Sequence, residues 1–258
     1  CPSRKHKAGS PCEPTEPELT SICSDRKLLR EIRLRLSDIS WWMRLVCQRI
    51  AQWANREDEQ SGKFWQSRYR AVRLLDEEAI LAGAAYVDLN PIRAALAQTL
   101  ETSDYTSVQR RIEALRASLA SVASGEDQPA GPPPQADAFL APLEIDERTD
   151  ELGPRPSVSG KRCSDKGFLS MPLAAYLALL DWTARQLAAG KSGATSEAAP
   201  AILERLEIRP EVWCQLVGQF GQLFSIVAGK PQHVDNYRSP HHPRRFHLPQ
   251  AARELLHS

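Results

Sequence analysis

Apolar residues recur at three- and four-residue steps in several separate stretches of this chain, and that periodicity commits most of it to helices. Ile39, Trp42, Met43, Val46, Ile50 and Trp53 form one stripe, with Ser37 or Asp38 placed to cap its start. Leu173, Tyr176, Leu177, Leu180, Ala184 and Leu187 form a second. Trp213, Leu216, Val217, Phe220, Phe224 and Val227 form a third, with Pro210 suited to its first turn. Asp76, Glu77 and Glu78 open a further helix, because carboxylates are favourable at the positive end of the helix dipole. Its predicted buried stripe is Ile80, Leu81, Ala84 and Val87. Pro91 either kinks that helix or begins the next, with Asn90 as cap. Another helix is expected from about Ser103 to Ala123, and a short one over 198–206.

One segment departs from helical spacing. KFWQSRYRAVRLL, Lys63 to Leu75, is aromatic and places Phe64, Gln66, Arg68, Arg70 and Val72 on alternating positions, which predicts a strand over part of it. The fold class expected is therefore mainly α with one recognisable strand. Composition divides the chain further. Residues 1–24 are rich in Pro, Ser, Glu and Lys and read as a disordered lead-in. Residues 25–124 form the first structured region, and the Pro- and Gly-rich residues 125–166 read as a linker. Residues 167–230 form a small helical region, and 231–258 a flexible polar tail.

The formal net charge of +1 over 258 residues excludes a polycationic nucleic-acid coat and an acidic solvating chain, though not a local basic patch. No stretch approaches the roughly 18 apolar residues of a membrane span, so no membrane association is expected. The six cysteines lack a CxxC pair and do not look like a disulfide framework. With no secretion signal, a reducing cytoplasm is the expected compartment.

The stretch that points to chemistry is AAYVDLNPIRAAL, Ala84 to Leu96. Tyr86 and Asn90 stand four apart, so they share a helix face, and their neighbours on it are the small residues Ala79, Ala82 and Gly83. A phenol and a carboxamide would then stand on a smooth surface that another backbone can approach. That geometry permits a nucleophile with a ligand one turn behind it. It equally permits a packing tyrosine and a helix cap.

Gly62 to Leu96 resembles the C-terminal part of the REP-associated tyrosine transposases, bacterial members of the HUH-type single-tyrosine transposases. The matching residues are Gly62, Phe64-Trp65, Arg68-Tyr69-Arg70, Asp76-Glu77, Tyr86-Val87, Asn90-Pro91 and Arg93-Ala94. SDYTSVQRRI, Ser103 to Ile112, also looks like the segment that follows the family motif, and the helices after residue 170 look like an extension found in longer relatives. The resemblance implies the C-terminal remnant of an α+β HUH-type domain plus a helical extension. It implies that Tyr86 attacks a phosphodiester of single-stranded or hairpin DNA, leaving a 5′-phosphotyrosine link and a free 3′-hydroxyl. Asn90 would help hold Mg²⁺ or Mn²⁺ beside a His-hydrophobe-His pair.

The sequence departs from that pattern in one respect. Its histidines are His6, His233, His241, His242, His247 and His257, and none forms His-x-His. The chain is therefore read as a transposase fragment lacking the metal-binding half. For DNA contact the candidates are Lys63, Arg68, Arg70 and Arg73, a basic run without acids, interleaved with Trp65 and Tyr69. Arg93 either joins that surface or solvates the helix after Pro91. Two other readings stay open: a non-catalytic DNA-binding protein, and a structural helical protein in which Tyr86 packs and Asn90 caps.

Overall fold

The computed structural model describes residues 15–124, 136–146, 155–188, 199–238 and 246–257. The chain divides into two compact units, Cys1–Tyr69 and Arg70–Ser258.

In the first unit, helices α1 (Glu16–Ser24), α2 (Arg26–Leu36) and α3 (Ile39–Glu57) follow one another. A side chain fixes each start. Thr15 and Glu18 close a reciprocal capping box on α1. The Asp25 carboxylate accepts from the Lys27 and Leu28 amides, and the Asp38 carboxylate from the Ser40 amide. Helix α1 corrects the reading of residues 1–24 as a disordered lead-in, over 16–24; residues 1–14 lie outside the described residues. The α3 stripe forms as its spacing predicts, yet it stays uncovered, with Ile39 61% and Trp53 64% exposed.

The strand expected within Lys63–Leu75 is present as β1, Arg73–Leu74, at the end of that segment. A strand needs a partner along its length, and before β1 the Trp65 and Tyr69 side chains bond to α3 instead. The Trp65 indole N–H donates to the Cys47 carbonyl at 2.8 Å, and the Tyr69 hydroxyl donates to Ser40 Oγ at 2.8 Å. Alternation without a neighbouring strand leaves this backbone irregular.

The second unit begins with β1, which pairs in parallel with β2, Val227–Ala228, in the register Arg73 to Val227. Helices α4 (Glu77–Asp88), α5 (Asn90–Arg93) and α6 (Ser107–Ser124) follow β1. Helices α7 (Leu173–Ala188), α8 (Ala201–Arg205) and α9 (Pro210–Leu223) precede β2, and α10 (Pro231–Arg238) and α11 (Gln250–His257) come after it. Helix α4 opens at the acidic run as expected, and Asp76 caps it, accepting from the Ala79 amide at 2.9 Å. Its second oxygen accepts from the Lys230 amide at 2.6 Å and pairs with His233 Nδ1 at 2.9 Å, which ties the start of α4 to the start of α10.

One core holds this unit together, and residues from both sides of the expected linker build it. Leu81, Ala85, Leu89 and Val108 pack with Tyr176, Leu179, Leu180, Trp213, Val217 and Val227. The division at 125–166 therefore does not separate two bodies; the boundary between compact units falls at Tyr69, inside the region 25–124. Part of the expected linker belongs to the core as well. Leu143 is buried, and the Leu169 amide donates to its carbonyl at 2.9 Å. Gly167 permits this approach, since a Cβ there would lie 1.9 Å from the Glu144 carbonyl oxygen. Residues 125–135 and 147–154 lie outside the described residues.

The expected flexible tail is corrected in the same way. Helices α10 and α11 dock through buried Val234, Leu248 and Ala252, while residues 239–245 lie outside the described residues. Among the described residues, no helix is long and apolar enough to cross a membrane.

The core makes a prediction about thiol chemistry. Burial pushes the Cys214 thiol up to about 11, whereas Cys23 and Cys163 are exposed. A thiol raised that far holds almost no thiolate near neutrality, and the thiolate is the nucleophile. Alkylation of the native protein at pH 7.5 followed by peptide mapping is expected to modify Cys23 and Cys163 and to spare Cys214. Equal labelling of Cys214 would contradict its burial.

Candidate functional site

Tyr86 stands in the last turn of α4, and the helix face around it is covered rather than open. Of the expected buried stripe, Leu81 is buried and Ile80 and Ala84 pack partly against the core, whereas Val87 is 63% exposed. The small residues Ala79, Ala82 and Gly83, expected to leave an open surface, are buried. Helix α9 covers the small face. A face of small side chains lets a neighbouring backbone come close, and α9 supplies its own glycines at the contact. A Cβ at Gly221 would lie 2.8 Å from the Tyr86 hydroxyl oxygen. Next to Gly221, the Phe220 ring lies 5.4 Å from the Tyr86 ring at 33°. The backbone of α9 leaves helical geometry at Gln219, with φ −118° and ψ 15°, immediately before this contact.

Arg93 completes the surround. Its guanidinium lies 4.4 Å from the Tyr86 ring centroid, within cation–π range. Nη2 donates to the Gly218 carbonyl at 2.7 Å, and Nη1 is buried with no hydrogen-bond partner among the described residues. Arg93 therefore neither merely solvates its helix nor lies on an open basic surface: it clamps Tyr86 and holds α9.

Asn90 does not cap the helix that follows. Leu89 occupies the junction, ending α4 and preceding α5, while Asn90 is already the first residue of α5 and Pro91 the second. The Leu89 amide still bonds the Ala85 carbonyl and the Arg93 amide the Leu89 carbonyl, so Pro91 marks an interruption rather than a new direction taken from Asn90. Asn90 is exposed. Among the described residues no group of three or more His, Cys, Asp or Glu side chains could hold a metal ion. Mg²⁺ and Mn²⁺ prefer several hard oxygen donors, so one exposed amide oxygen does not fit as their site.

The DNA-contact candidates are not gathered on one strand face. Arg70, Arg73 and Arg93 belong to the second unit and have partners there. Arg70 Nη2 donates to the Phe224 carbonyl at 3.2 Å, and the Arg73 guanidinium lies 5.3 Å from the Tyr237 ring centroid. Lys63, Trp65, Arg68 and Tyr69 belong to the first unit and line a groove of about 700 Å³ against α3. Sequence reading missed the α3 residues that share this groove, among them Trp41 and Arg44. Their position on the side of α3 away from the apolar stripe was the available signal.

Sequence reading also missed Asp88, two residues beyond the tyrosine and only 3% exposed. Its Oδ1 accepts from Ser107 Oγ at 2.8 Å and from the Val108 amide at 3.3 Å, so it caps α6 from another helix. Its Oδ2 accepts from the Tyr176 hydroxyl at 2.8 Å. Burial, and then the Asp88 charge, raise the Tyr176 phenol well above its ordinary range and keep it a donor. Nearby Arg111, 6% exposed, donates to the Ala141 carbonyl at 2.8 Å, and burial lowers its pKa. Asp88 thus fixes the end of α4 that carries Tyr86.

Comparison of the chain with family models, curated proteins and solved structures gives no match.

Proposed function

We propose that this chain is part of a tyrosine transposase acting on single-stranded or hairpin DNA, with Tyr86 as its nucleophile. The observation that carries the reading is Arg93 beside Tyr86, a guanidinium with one N–H spent on Gly218 and another buried without a partner. Arg is well suited to phosphate, and this guanidinium stands beside the phenol that would attack one. In the proposed step the Tyr86 oxygen bonds to phosphorus and loses its proton. The bond to the 3′-oxygen breaks, and that oxygen leaves as a protonated hydroxyl. The His-hydrophobe-His pair that the resemblance calls for is absent from the sequence, so this reading assigns metal binding to a part of the transposase outside these 258 residues.

The test joins the chain to the N-terminal half of a family member and incubates it with a labelled DNA hairpin and Mn²⁺. A covalent protein–DNA adduct is expected, and Tyr86→Phe is expected to abolish it while circular dichroism stays unchanged. Phe keeps the ring between Phe220 and Arg93 and removes only the atom that bonds phosphorus. The unjoined chain is expected to form no adduct. An adduct formed by Tyr86→Phe would refute the assignment.

A second reading, a structural protein with no strand-cleaving role, draws on the close approach of Gly221 to the Tyr86 hydroxyl. Under it, Tyr86→Ala destabilises the second unit by about 3 kcal/mol, and no partner half restores cleavage.

A further inference from the structure

We propose that the groove between α3 and residues 62–69 is a binding site for unpaired nucleotides. The site extends the nucleic-acid part of the reading above to the first unit, and it needs neither Tyr86 nor a metal.

Its volume of about 700 Å³ falls within the range of roughly 300–1,000 Å³ found for small-ligand sites. The lining combines two chemistries that a nucleotide needs together. Aromatic faces come from Trp41, Phe64, Trp65 and Tyr69, and cations from Arg44, Lys63 and Arg68. The aromatic rings are held in place by the protein and still offer surface. The Trp65 indole N–H is fixed on the Cys47 carbonyl and the Tyr69 hydroxyl on Ser40, so neither polar handle is free to swing the ring away. Phe64 stands edge-on to Trp65, centroids 4.9 Å apart at 89°. Both nonetheless remain about two-fifths exposed, Phe64 at 41% and Trp65 at 40%.

Charge selects the ligand class. The lone acid in the lining is Asp38, and its Oδ1 is occupied by the Ser40 amide. Lys63 and Arg68 have no ion pair among the described residues. Arg44 lies 5.4 Å from the Trp41 ring centroid, where it raises the positive potential over an aromatic face. The surrounding helices point the same way: between Arg26 and Arg56 there are eight basic residues and two acidic ones. An apolar ligand would leave these cations unanswered, and an inorganic anion would leave the rings unanswered. A base stacked on an indole with its phosphate at Lys63 or Arg68 uses both, and paired bases in a duplex have no free face to offer.

The experiment measures binding of the full chain by calorimetry to a short single-stranded oligonucleotide, an abasic strand of equal charge, the matched duplex and inorganic phosphate. The single strand is expected to bind at least tenfold more tightly than the abasic strand or the duplex. Trp65→Ala is expected to weaken it about ten- to a hundredfold without changing the salt dependence. The double variant Lys63→Ala, Arg68→Ala is expected to flatten the dependence of log K on log salt by about 1.4, at about 0.7 per phosphate contact on a single strand. Trp65→Phe guards against a folding artefact, because it keeps a stacking face and is expected to retain most of the affinity. Nucleotide binding by the chain with no cleavage by the joined protein would leave this site standing while the tyrosine assignment fails. Equal affinity for the abasic strand, an unaffected Trp65→Ala, or no binding by any strand would overturn the proposal.

Discussion

Asp88→Ala is expected to destabilise the second unit by about 3–5 kcal/mol, because each buried donor left without its acceptor costs about 1–3 kcal/mol. The carboxylate accepts from Ser107, the Val108 amide and the Tyr176 hydroxyl, and it faces the buried Arg111 charge. Removing it leaves a phenol and a backbone N–H without acceptors at a place water does not reach, and it leaves Arg111 with less opposing charge. Asp88→Asn keeps an acceptor for one of these donors and is expected to cost less, about 1–3 kcal/mol. Urea unfolding followed by far-UV circular dichroism measures both. A loss below about 1 kcal/mol for the alanine variant would mean that the network does not hold α4 against α6 and α7.

Asp88 also illustrates what the sequence could not disclose. Its partners lie 19 and 88 residues away, so nothing in the local pattern separates it from a solvated acid on a helix. Features decided locally were legible. The acidic opening of α4 at Asp76 to Glu78, the stripe of α3, the short α8 and Pro210 opening α9 all depend on residues within a turn or two of each other. Features decided at long range were not. The alternation of residues 63–72 suggested a strand, but strand identity depends on a neighbour, and the aromatic side chains dock on α3 instead. The small face of α4 was visible as small. That it is filled by α9 rather than left open follows from Gly221, some 130 residues further along. The polar composition of residues 231–258 hid Val234, Leu248 and Ala252, since a short docked helix needs only one or two buried anchors.

Trp213→Ala is expected to be comparably severe, about 3–5 kcal/mol. Trp213 is completely buried, and its indole N–H donates to Thr183 Oγ1 at 2.9 Å. Thr183 in turn donates to the Leu179 carbonyl at 2.6 Å, so the hydroxyl is already committed and cannot turn to compensate. Alanine opens a cavity between α7 and α9 and strands one acceptor inside it. Domains are commonly stable by only about 5–15 kcal/mol, so this single change brings the second unit close to its limit. Trp213→Phe, which fills most of the space and loses only the hydrogen bond, is expected to cost less than half as much. Thermal denaturation of the three proteins tests the ordering. A Trp213→Ala protein as stable as Trp213→Phe would show that the core closes around the missing ring.

The six tryptophans are distributed unevenly, and this gives the protein an intrinsic optical label for each of its units. Trp41, Trp42, Trp53 and Trp65 lie in the first unit, where Trp42 and Trp53 are 52% and 64% exposed, whereas Trp182 and Trp213 are buried in the second. Indoles in water emit at longer wavelength than indoles in an apolar core, so the red edge of the emission band reports the first unit and the blue edge the second. Iodide, an anion drawn toward the basic helices, quenches the red component selectively. A single emission spectrum, recorded with and without iodide, therefore follows the two units separately during unfolding without any dye or added probe.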